Sequence, residues 1–202
     1  MSVMHPQAPS ARRSPLGDAS ARANAQLRFE DLSWRARFGC KGPGAQAWLA
    51  ELGLSVPPQP NSAALDERGV LVARLATSEF LIEAVDGGFE QIVATAQKLQ
   101  STPPAQVYPV ARQDLVLSIE GPGSNTLLRQ ICSVDFAPLL QHSRVDSGPI
   151  VLTSMIGVGV VAWPRLGQRG ATLTLWLDPS FAHYFWTTLL EVGSGVGGDF
   201  SK

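Results

Sequence analysis

Apolar residues in the first half of the chain change their spacing at the sequence Gly-Pro-Gly, residues 42–44. Before this point they occupy every second position, which predicts a half-buried β-strand. The strand positions are Ala36, Phe38 and Cys40. After it they recur at the spacing of one helix face. The helix positions are Trp48, Leu49 and Leu52. The pattern predicts a strand that passes through a tight turn into an amphipathic helix.

The same change of spacing occurs a second time at residues 121–123, which are also Gly-Pro-Gly. The strand positions here are Leu115, Leu117 and Ile119. The helix positions are Leu127, Leu128 and Ile131. The chain therefore contains one strand-turn-helix unit twice, which predicts a tandem repeat of about 33–100 and 108–192.

Each predicted copy continues with a hairpin and a second helix. In the first copy, apolar runs at 70–74 and 80–85 form the hairpin, and Asp86 is the predicted cap of the helix that follows. The apolar face of that helix consists of Phe89, Ile92, Val93, Ala96 and Leu99. The predicted order of the copy is β-α-β-β-α.

In the second copy the hairpin is predicted from about 150 to 177, with its turn at 164–170. Asp178-Pro179 is typical of a helix start, with aspartate as the cap and proline in the first turn. The residues that take the places of Phe89, Ile92 and Val93 are Phe181, Tyr184 and Phe185.

The predicted fold is α+β, with two tandem β-α-β-β-α repeats in one pseudo-symmetric body over residues 29–193. Each repeat leaves one sheet face and one helix stripe apolar, and these surfaces would be buried against each other. Residues 1–28, rich in Ala, Ser, Pro and Arg, are predicted to be a disordered arm. A cleavable targeting segment is the alternative for this arm. The glycine-rich end, 194–202, is predicted to be a flexible tail.

The charge and hydrophobic content exclude several classes of partner. The 202 residues carry a formal net charge of -1, which gives no attraction to nucleic acid or to acidic membranes. No run of 18 apolar residues is present to span a bilayer. We therefore expect a cytoplasmic protein without a nucleic-acid or membrane partner.

Cysteine and histidine are too few and too scattered to predict a metal site. The two cysteines, Cys40 and Cys132, lie in apolar patterns without a CxxC motif, so we expect small buried side chains rather than a disulfide. The three histidines, His5, His142 and His183, show no metal-binding spacing, and His183 is expected on the solvent side of its helix.

Two further motifs contain residues that could carry chemistry. Gly-Pro-Gly before a helix could bind an anion, but it lacks the spacing of a dinucleotide loop or a P-loop, so a structural turn is favoured. The run 132–135, Cys-Ser-Val-Asp, follows a predicted helix, whose negative end disfavours a thiolate. No carboxylate occurs between Ser147 and Leu177 to serve as acid or base. No catalytic residue is predicted, and no cofactor-binding residue is assigned.

The five tryptophans leave two interpretations open. Each is expected in the core by default, and three of them could instead form a docking surface. The five are Trp34, Trp48, Trp163, Trp176 and Trp186, and the last three are the docking candidates.

Several runs together resemble a known family. In the first half these are residues 37–45, 48–49, 56–57, 61, 72–75 and 79–81. In the second half they are residues 117–123, 132–135 and 178–184. Their order and spacing resemble the gamma subunit of heterotetrameric sarcosine oxidase over about 31–192.

The resemblance implies a fold similar to the folate-binding domain of the glycine-cleavage T-protein. It implies a non-catalytic accessory subunit in a complex that oxidises sarcosine and passes the one-carbon unit to tetrahydrofolate. The expected partners are large alpha and beta flavoprotein subunits, with FAD, FMN, NAD and tetrahydrofolate, and a small delta subunit with zinc. In the T-protein group an aspartate in the second-repeat hairpin serves folate chemistry, and the matching stretch here, 156–160, has none.

Two other functions remain open. A stand-alone folate-dependent one-carbon or aminomethyl transferase would need a carboxylate near a folate pocket, which Asp135 or Asp146 would have to supply. A self-associating scaffold without flavoprotein partners is the third hypothesis.

Overall fold

The computed structural model describes residues 13–17, 21–167 and 170–200, and it places them in two compact units. Unit one contains Trp34–Arg112, and unit two contains Arg13–Ser33 together with the chain from Gln113 onward. Each unit consists of an antiparallel sheet and helices. The α+β class predicted from the sequence is confirmed. No helix in the described residues is long and apolar enough to cross a membrane.

The strands are β1 (Ala21–Ala23), β2 (Arg28–Asp31), β3 (Arg37–Lys41), β4 (Ser62–Leu65), β5 (Val70–Ala76), β6 (Glu79–Ala84), β7 (Tyr108–Val110), β8 (Leu115–Glu120), β9 (Ser147–Pro149), β10 (Val151–Met155), β11 (Val158–Gly167) and β12 (Gly170–Leu177). The helices are α1 (Ala45–Glu51), α2 (Phe89–Ser101), α3 (Ser124–Ile131), α4 (Ala137–Gln141) and α5 (Ala182–Gly197).

Unit one is built on strands in the order β7-β3-β6-β5-β4. Its core joins one face of this sheet to the apolar sides of α1 and α2. The predicted strand positions Ala36, Phe38 and Cys40 are all buried there, as are Trp48 and Leu49. The strand, helix and hairpin predicted for the first copy are therefore present.

The predicted cap of α2 is wrong. Gly88, in the left-handed conformation with φ of 68°, precedes the helix, and no side chain caps it. The Asp86 carboxylate instead lies 3.9 Å from the Arg35 guanidinium. A Cβ atom at Gly88 would stand 2.3 Å from the side chain of Val70, so this close approach requires glycine.

Unit two is built on strands in the order β1-β2-β8-β12-β11-β10. Helices α3 and α5 supply apolar side chains to the core on one face of the sheet. The positions predicted to be buried in the second strand-turn-helix unit are buried: Leu115, Leu117, Ile119, Leu127, Leu128 and Ile131.

The predicted turn at 164–170 is correctly placed but too long, since Gly167 of β11 lies opposite Gly170 of β12, and the region 150–177 contains three strands rather than two. Residues 164–167 belong to β11, and Pro164 lies opposite Leu173 of β12. An additional reversal occurs at Ile156-Gly157, where φ is 52° and 76°. Isoleucine is β-branched and rarely takes positive φ, so the residue types at this position do not predict a turn.

The predicted buried face of the last helix is wrong at two positions. Phe181 and Tyr184 are 46% and 54% exposed. A 3₁₀ turn over Pro179–Phe181 precedes α5, and its tighter winding changes the angular phase of the residues that follow. The buried residues of α5 are Ala182, Phe185, Trp186, Leu189 and Gly193.

Disorder was predicted for residues 1–28 and for the tail from 194, and the described parts of both are ordered. β1 pairs with β2, and Leu27 is 2% exposed. α5 continues to Gly197, and the Phe200 ring lies 4.9 Å from that of Phe29. The arm has a low average hydrophobicity, yet a few of its apolar residues, such as Leu27, are buried in the core of unit two. Residues 1–12, 18–20 and 201–202 lie outside the described part of the chain.

Candidate functional site

The two Gly-Pro-Gly turns have the same backbone conformation. Gly42 and Gly121 have φ of 122° and 117°, a region that favours glycine. A Cβ atom on Gly42 would stand 2.1 Å from the carbonyl oxygen of Gln106. A Cβ atom on Gly121 would stand 2.3 Å from that of Gln26. Each turn is closely covered by another segment of its own unit.

The backbone amides at these turns are already hydrogen-bonded. Gly44 N–H donates to the Gln106 carbonyl at 3.2 Å, and Gly123 N–H donates to the Gln26 carbonyl at 3.0 Å. The next amide in each turn, of Ala45 and of Ser124, donates back to the first glycine. An anion would have to displace these carbonyls, so the geometry favours the structural explanation of the motif over an anion site.

A small cavity lies beside the second turn. It encloses about 10 Å³, room for one water molecule, and its wall is almost entirely apolar. The buried Ser124 hydroxyl borders it and has no hydrogen-bond partner in the structure. Pockets for drug-sized ligands occupy roughly 300–1,000 Å³, so this cavity is far too small for a folate.

The run 132–135 does not form a reactive cluster. The Cys132 sulphur lies 3.7 Å from the Thr153 hydroxyl and accepts a hydrogen bond from the Val134 amide at 3.4 Å. The exposed Asp135 carboxylate accepts from the Ala137 amide at 3.0 Å, at the start of α4. These contacts involve a hydroxyl and backbone amides rather than a general base, so each residue has a local structural role.

The other cysteine is chemically unreactive for a simple reason. Cys40 is completely buried in the core of unit one, and desolvation by burial raises the pKa of its thiol to about 12. Both Cys40 and Cys132 are free thiols. The expectation that Cys40 is a small buried side chain is confirmed, whereas Cys132 is only partly buried.

The histidines that the structure describes are both at the surface. His142 contacts the carbonyl of Pro138 at 3.0 Å through Nδ1, and His183 is exposed on α5, as predicted. His5 lies outside the described residues. Within the described ranges, no group of three or more His, Cys, Asp or Glu side chains is placed to hold a metal ion.

The remaining candidate residues are Asp146 and the tryptophans. Asp146 is exposed and accepts a hydrogen bond from the neighbouring Ser147 hydroxyl. Trp163, Trp176 and Trp186 are at most 7% exposed, so they belong to the interior and cannot form the docking surface considered above. The exposed tryptophan among the five is Trp34, at 47%.

Sequence reasoning missed a buried ionic cluster in unit one. Glu83 of β6 lies opposite Arg37 of β3, and the guanidinium Nε of Arg37 is 2.9 Å from the carboxylate. The guanidinium of Arg35 is 3.6 Å from the same carboxylate. Both arginines alternate with buried apolar residues, a pattern that predicts a solvent-facing position for them. The missed signal was the pairing of opposite charges on neighbouring strands.

Comparison with characterised sequences finds a similar protein. The sarcosine oxidase subunit gamma of Corynebacterium sp. (strain U-96) is 25% identical over 169 residues, which cover 78% of this chain and 79% of that subunit. No protein-family model matches the chain.

Comparison with solved structures finds a chain of a sarcosine oxidase and, at lower similarity, an aminomethyltransferase. A chain of the heterotetrameric sarcosine oxidase from Corynebacterium sp. U-96, solved with pyrrole 2-carboxylate, has a TM-score of 0.68 and 24% identity, over 94% of this chain and 95% of that chain. The glycine cleavage system aminomethyltransferase T from Bartonella henselae has a TM-score of 0.59 and 16% identity. That match covers 83% of this chain and 46% of the transferase. The resemblance in fold expected from the sequence is therefore confirmed.

Proposed function

We propose that this chain is a non-catalytic accessory subunit of a heterotetrameric sarcosine oxidase-type flavoenzyme. The observation that carries the proposal is the match to a gamma subunit, in which 78% of this chain aligns with 79% of the relative. A match over more than three quarters of both chains supports a shared role for most of the polypeptide rather than for one module.

The geometry of the candidate residues supports a role without catalysis. Asp135 and Asp146 accept hydrogen bonds from nearby residues, His142 contacts a backbone carbonyl, and the Cys132 sulphur contacts the Thr153 hydroxyl and the Val134 amide. A nucleophile needs a positioned base within hydrogen-bond reach, and an acid-base residue needs a cleft in which substrate can meet it. The hydrogen bonds of these side chains do not join a nucleophile to a base.

The proposal assigns the chemistry to partner subunits. FAD, FMN, NAD and the tetrahydrofolate site would lie on alpha and beta subunits, and zinc on a small delta subunit, in the cytoplasm. The present chain would contribute contact surface. Exposed apolar side chains such as Leu152, Phe181 and Tyr184, which are 46% to 55% exposed, are suited to burial in such an assembly.

We further propose that residues 33–100 and 108–192 arose as tandem copies. Three correspondences support this: the shared φ at Gly42 and Gly121, the carbonyl bonded to each turn, and the matched buried positions on β3 and β8. Insertions that distinguish the halves, such as α4 and the additional turn at 156–157, lie between the matched elements.

The purified assembly tests the accessory role directly. The chain would be tagged in its native host and isolated gently, with the untagged host as control, and its visible spectrum and the masses of accompanying chains recorded. We expect a yellow complex with two larger chains and one smaller chain. A colourless protein isolated alone would contradict the proposal.

A second candidate function, folate binding, is favoured by the similarity in fold to the aminomethyltransferase. It requires a carboxylate at a pocket, and the turn at Ile156-Gly157 supplies none. Calorimetric titration of the isolated chain with tetrahydrofolate distinguishes the two. The accessory role predicts no binding heat, whereas saturable binding would favour the second function.

A further inference from the structure

β2 and β7 each come directly before one of the two strand-turn-helix copies in the sequence. Each of them lies in the sheet of the unit that contains the other copy. β2 comes immediately before β3 in the chain, yet it pairs with β8 in unit two, where Phe29 lies opposite Ile119. β7 comes immediately before β8, yet it pairs with β3 in unit one, where Pro109 lies opposite Cys40. The chain thus crosses from one unit to the other after Ser33 and again after Arg112.

The two crossing strands enter their receiving units in the same way. The carbonyl of Gln26, two residues before β2, accepts the Gly123 amide at the start of α3. The carbonyl of Gln106, two residues before β7, accepts the Gly44 amide at the start of α1. Each segment therefore completes a sheet edge and also bonds the adjacent helix start of its receiving unit.

The register of the two strands is equivalent as well. Arg28 lies opposite Glu120, the residue before Gly121. Tyr108 lies opposite Lys41, the residue before Gly42. The intervening residues match in burial, since Leu27 and Val107 are each 2% exposed and belong to the cores of unit two and unit one.

We propose that the two units exchange their leading strands, so that each unit folds fully only when the segment preceding the other half is in place. An uncovered β8 or β3 would present unpaired backbone groups and open apolar positions in its core. Release of residues 21–33 would loosen unit two while the strands of unit one stay paired. The arrangement is an intramolecular form of strand swapping, and it goes beyond the accessory role proposed above.

Hydrogen exchange of the full chain tests this coupling with two matched variants. Leu27→Ala is expected to accelerate amide exchange in β8, β12 and α3 at least about tenfold and to leave β3, β5 and β6 protected. Val107→Ala is expected to give the reverse pattern. Leu27→Ala would thus act on unit two, although Leu27 precedes β3 of unit one in the sequence. Val107→Ala would act on unit one, although Val107 precedes β8 of unit two.

Two results would overturn the proposal. In one, Leu27→Ala accelerates exchange in β3, β5 and β6, and Val107→Ala accelerates exchange in β8 and β12, as expected for two independent consecutive units. In the other, both variants accelerate exchange equally throughout, which would mean that the strands do not control their receiving units separately.

Engineered disulfides provide a second test that leaves the core side chains intact. The equivalent pairs are Arg28→Cys with Glu120→Cys and Lys41→Cys with Tyr108→Cys, and peptide mass mapping would locate the bonds. We expect both pairs to oxidise within a single chain. A failure of the Arg28 and Glu120 positions to cross-link, while the Lys41 and Tyr108 positions do, would refute the reciprocal exchange.

Discussion

Gly42 and Gly121 tolerate no side chain, because positive φ and a neighbouring carbonyl oxygen act together at each position. We expect Gly42→Ala and Gly121→Ala each to lower the free energy of unfolding by at least about 1–3 kcal/mol from backbone strain alone. The 2.1 and 2.3 Å contacts of a Cβ atom with backbone oxygens add to this cost. Urea denaturation of the purified chain measures the change.

A glycine in an open position is the control for this prediction. Gly195 lies within α5, and a Cβ atom there meets nothing within 4 Å. Gly195→Ala should therefore stabilise the chain by up to about 1 kcal/mol, the helix propensity difference. Equal effects of the substitution at 42, 121 and 195 would show that the turns are not constrained as described.

The two thiols should differ sharply in reactivity. At about pH 8, near the ordinary thiol pKa, Cys40 remains protonated because burial raises its pKa to about 12. We expect iodoacetamide to label the native chain at the partly buried Cys132 and to label Cys40 only after unfolding, as followed by mass spectrometry. The Cys132→Ser chain should stay unlabelled while folded, and rapid labelling of that variant would contradict the burial of Cys40.

At the scale of elements, the pairing of β3 with β6 depends on a buried charge. Glu83 neutralises Arg37 inside unit one, where both side chains are fully buried. Glu83→Ala should cost about 3–5 kcal/mol, because it leaves a buried guanidinium without its carboxylate. Glu79→Ala, on the same strand and opposite Lys41, is the control and should change stability by about 0.5 kcal/mol or less. Similar values for the two variants would show that the buried pair is not what holds these strands.

The start of α5 should respond to acid. The pKa of Asp178 lies below its ordinary value, chiefly because the carboxylate accepts a hydrogen bond from the Ser180 amide. A lowered pKa stabilises the folded state above the ordinary value of about 3.9, and this stabilisation is lost as the pH falls through the folded-state pKa. Melting temperatures should show wild type losing its advantage over Asp178→Asn in that range. An advantage that stays constant with pH would contradict the capping role.

How far the elements could be predicted depends on their length and periodicity. The strands and helices that flank each Gly-Pro-Gly were recognised because several buried residues repeat at regular spacing, as at Phe38 and Cys40. β1, β2 and β7 are three or four residues long, too short to show a period. Their positions depend on pairing with distant strands, which local sequence does not encode.

At the scale of the whole molecule, the strand exchange could not be predicted, because local sequence does not encode which distant strands pair. Sequence order favours contacts within each half, and only the observed register shows that β2 and β7 cross over. The described residues from Arg13 to Ser33 also restrict any processing of the amino-terminal region, because unit two begins at Arg13 and Leu16 is buried in its core.

The positions of the candidate residues could be predicted from the sequence in part, since His183 was expected on the solvent side of its helix and is exposed. The spacing of His142 and His183 and the lack of carboxylates between 147 and 177 already argued against acid-base chemistry. The exact roles of Asp135 and of the tryptophans could not be predicted, since a loop aspartate can cap a turn or face a cleft with equal ease. Burial and hydrogen-bond geometry distinguish these roles.

The central claim is that this chain supports a flavoprotein assembly and contributes no catalytic group. Its most direct test is sarcosine turnover per bound flavin in the isolated complex, with wild-type chain and with a variant combining Cys132→Ser, Asp135→Asn, His142→Gln and His183→Gln. These side chains are exposed or partly buried, so the variant should fold normally. We expect unchanged turnover per flavin. A large loss of turnover with the same flavin content and subunit composition would contradict the claim.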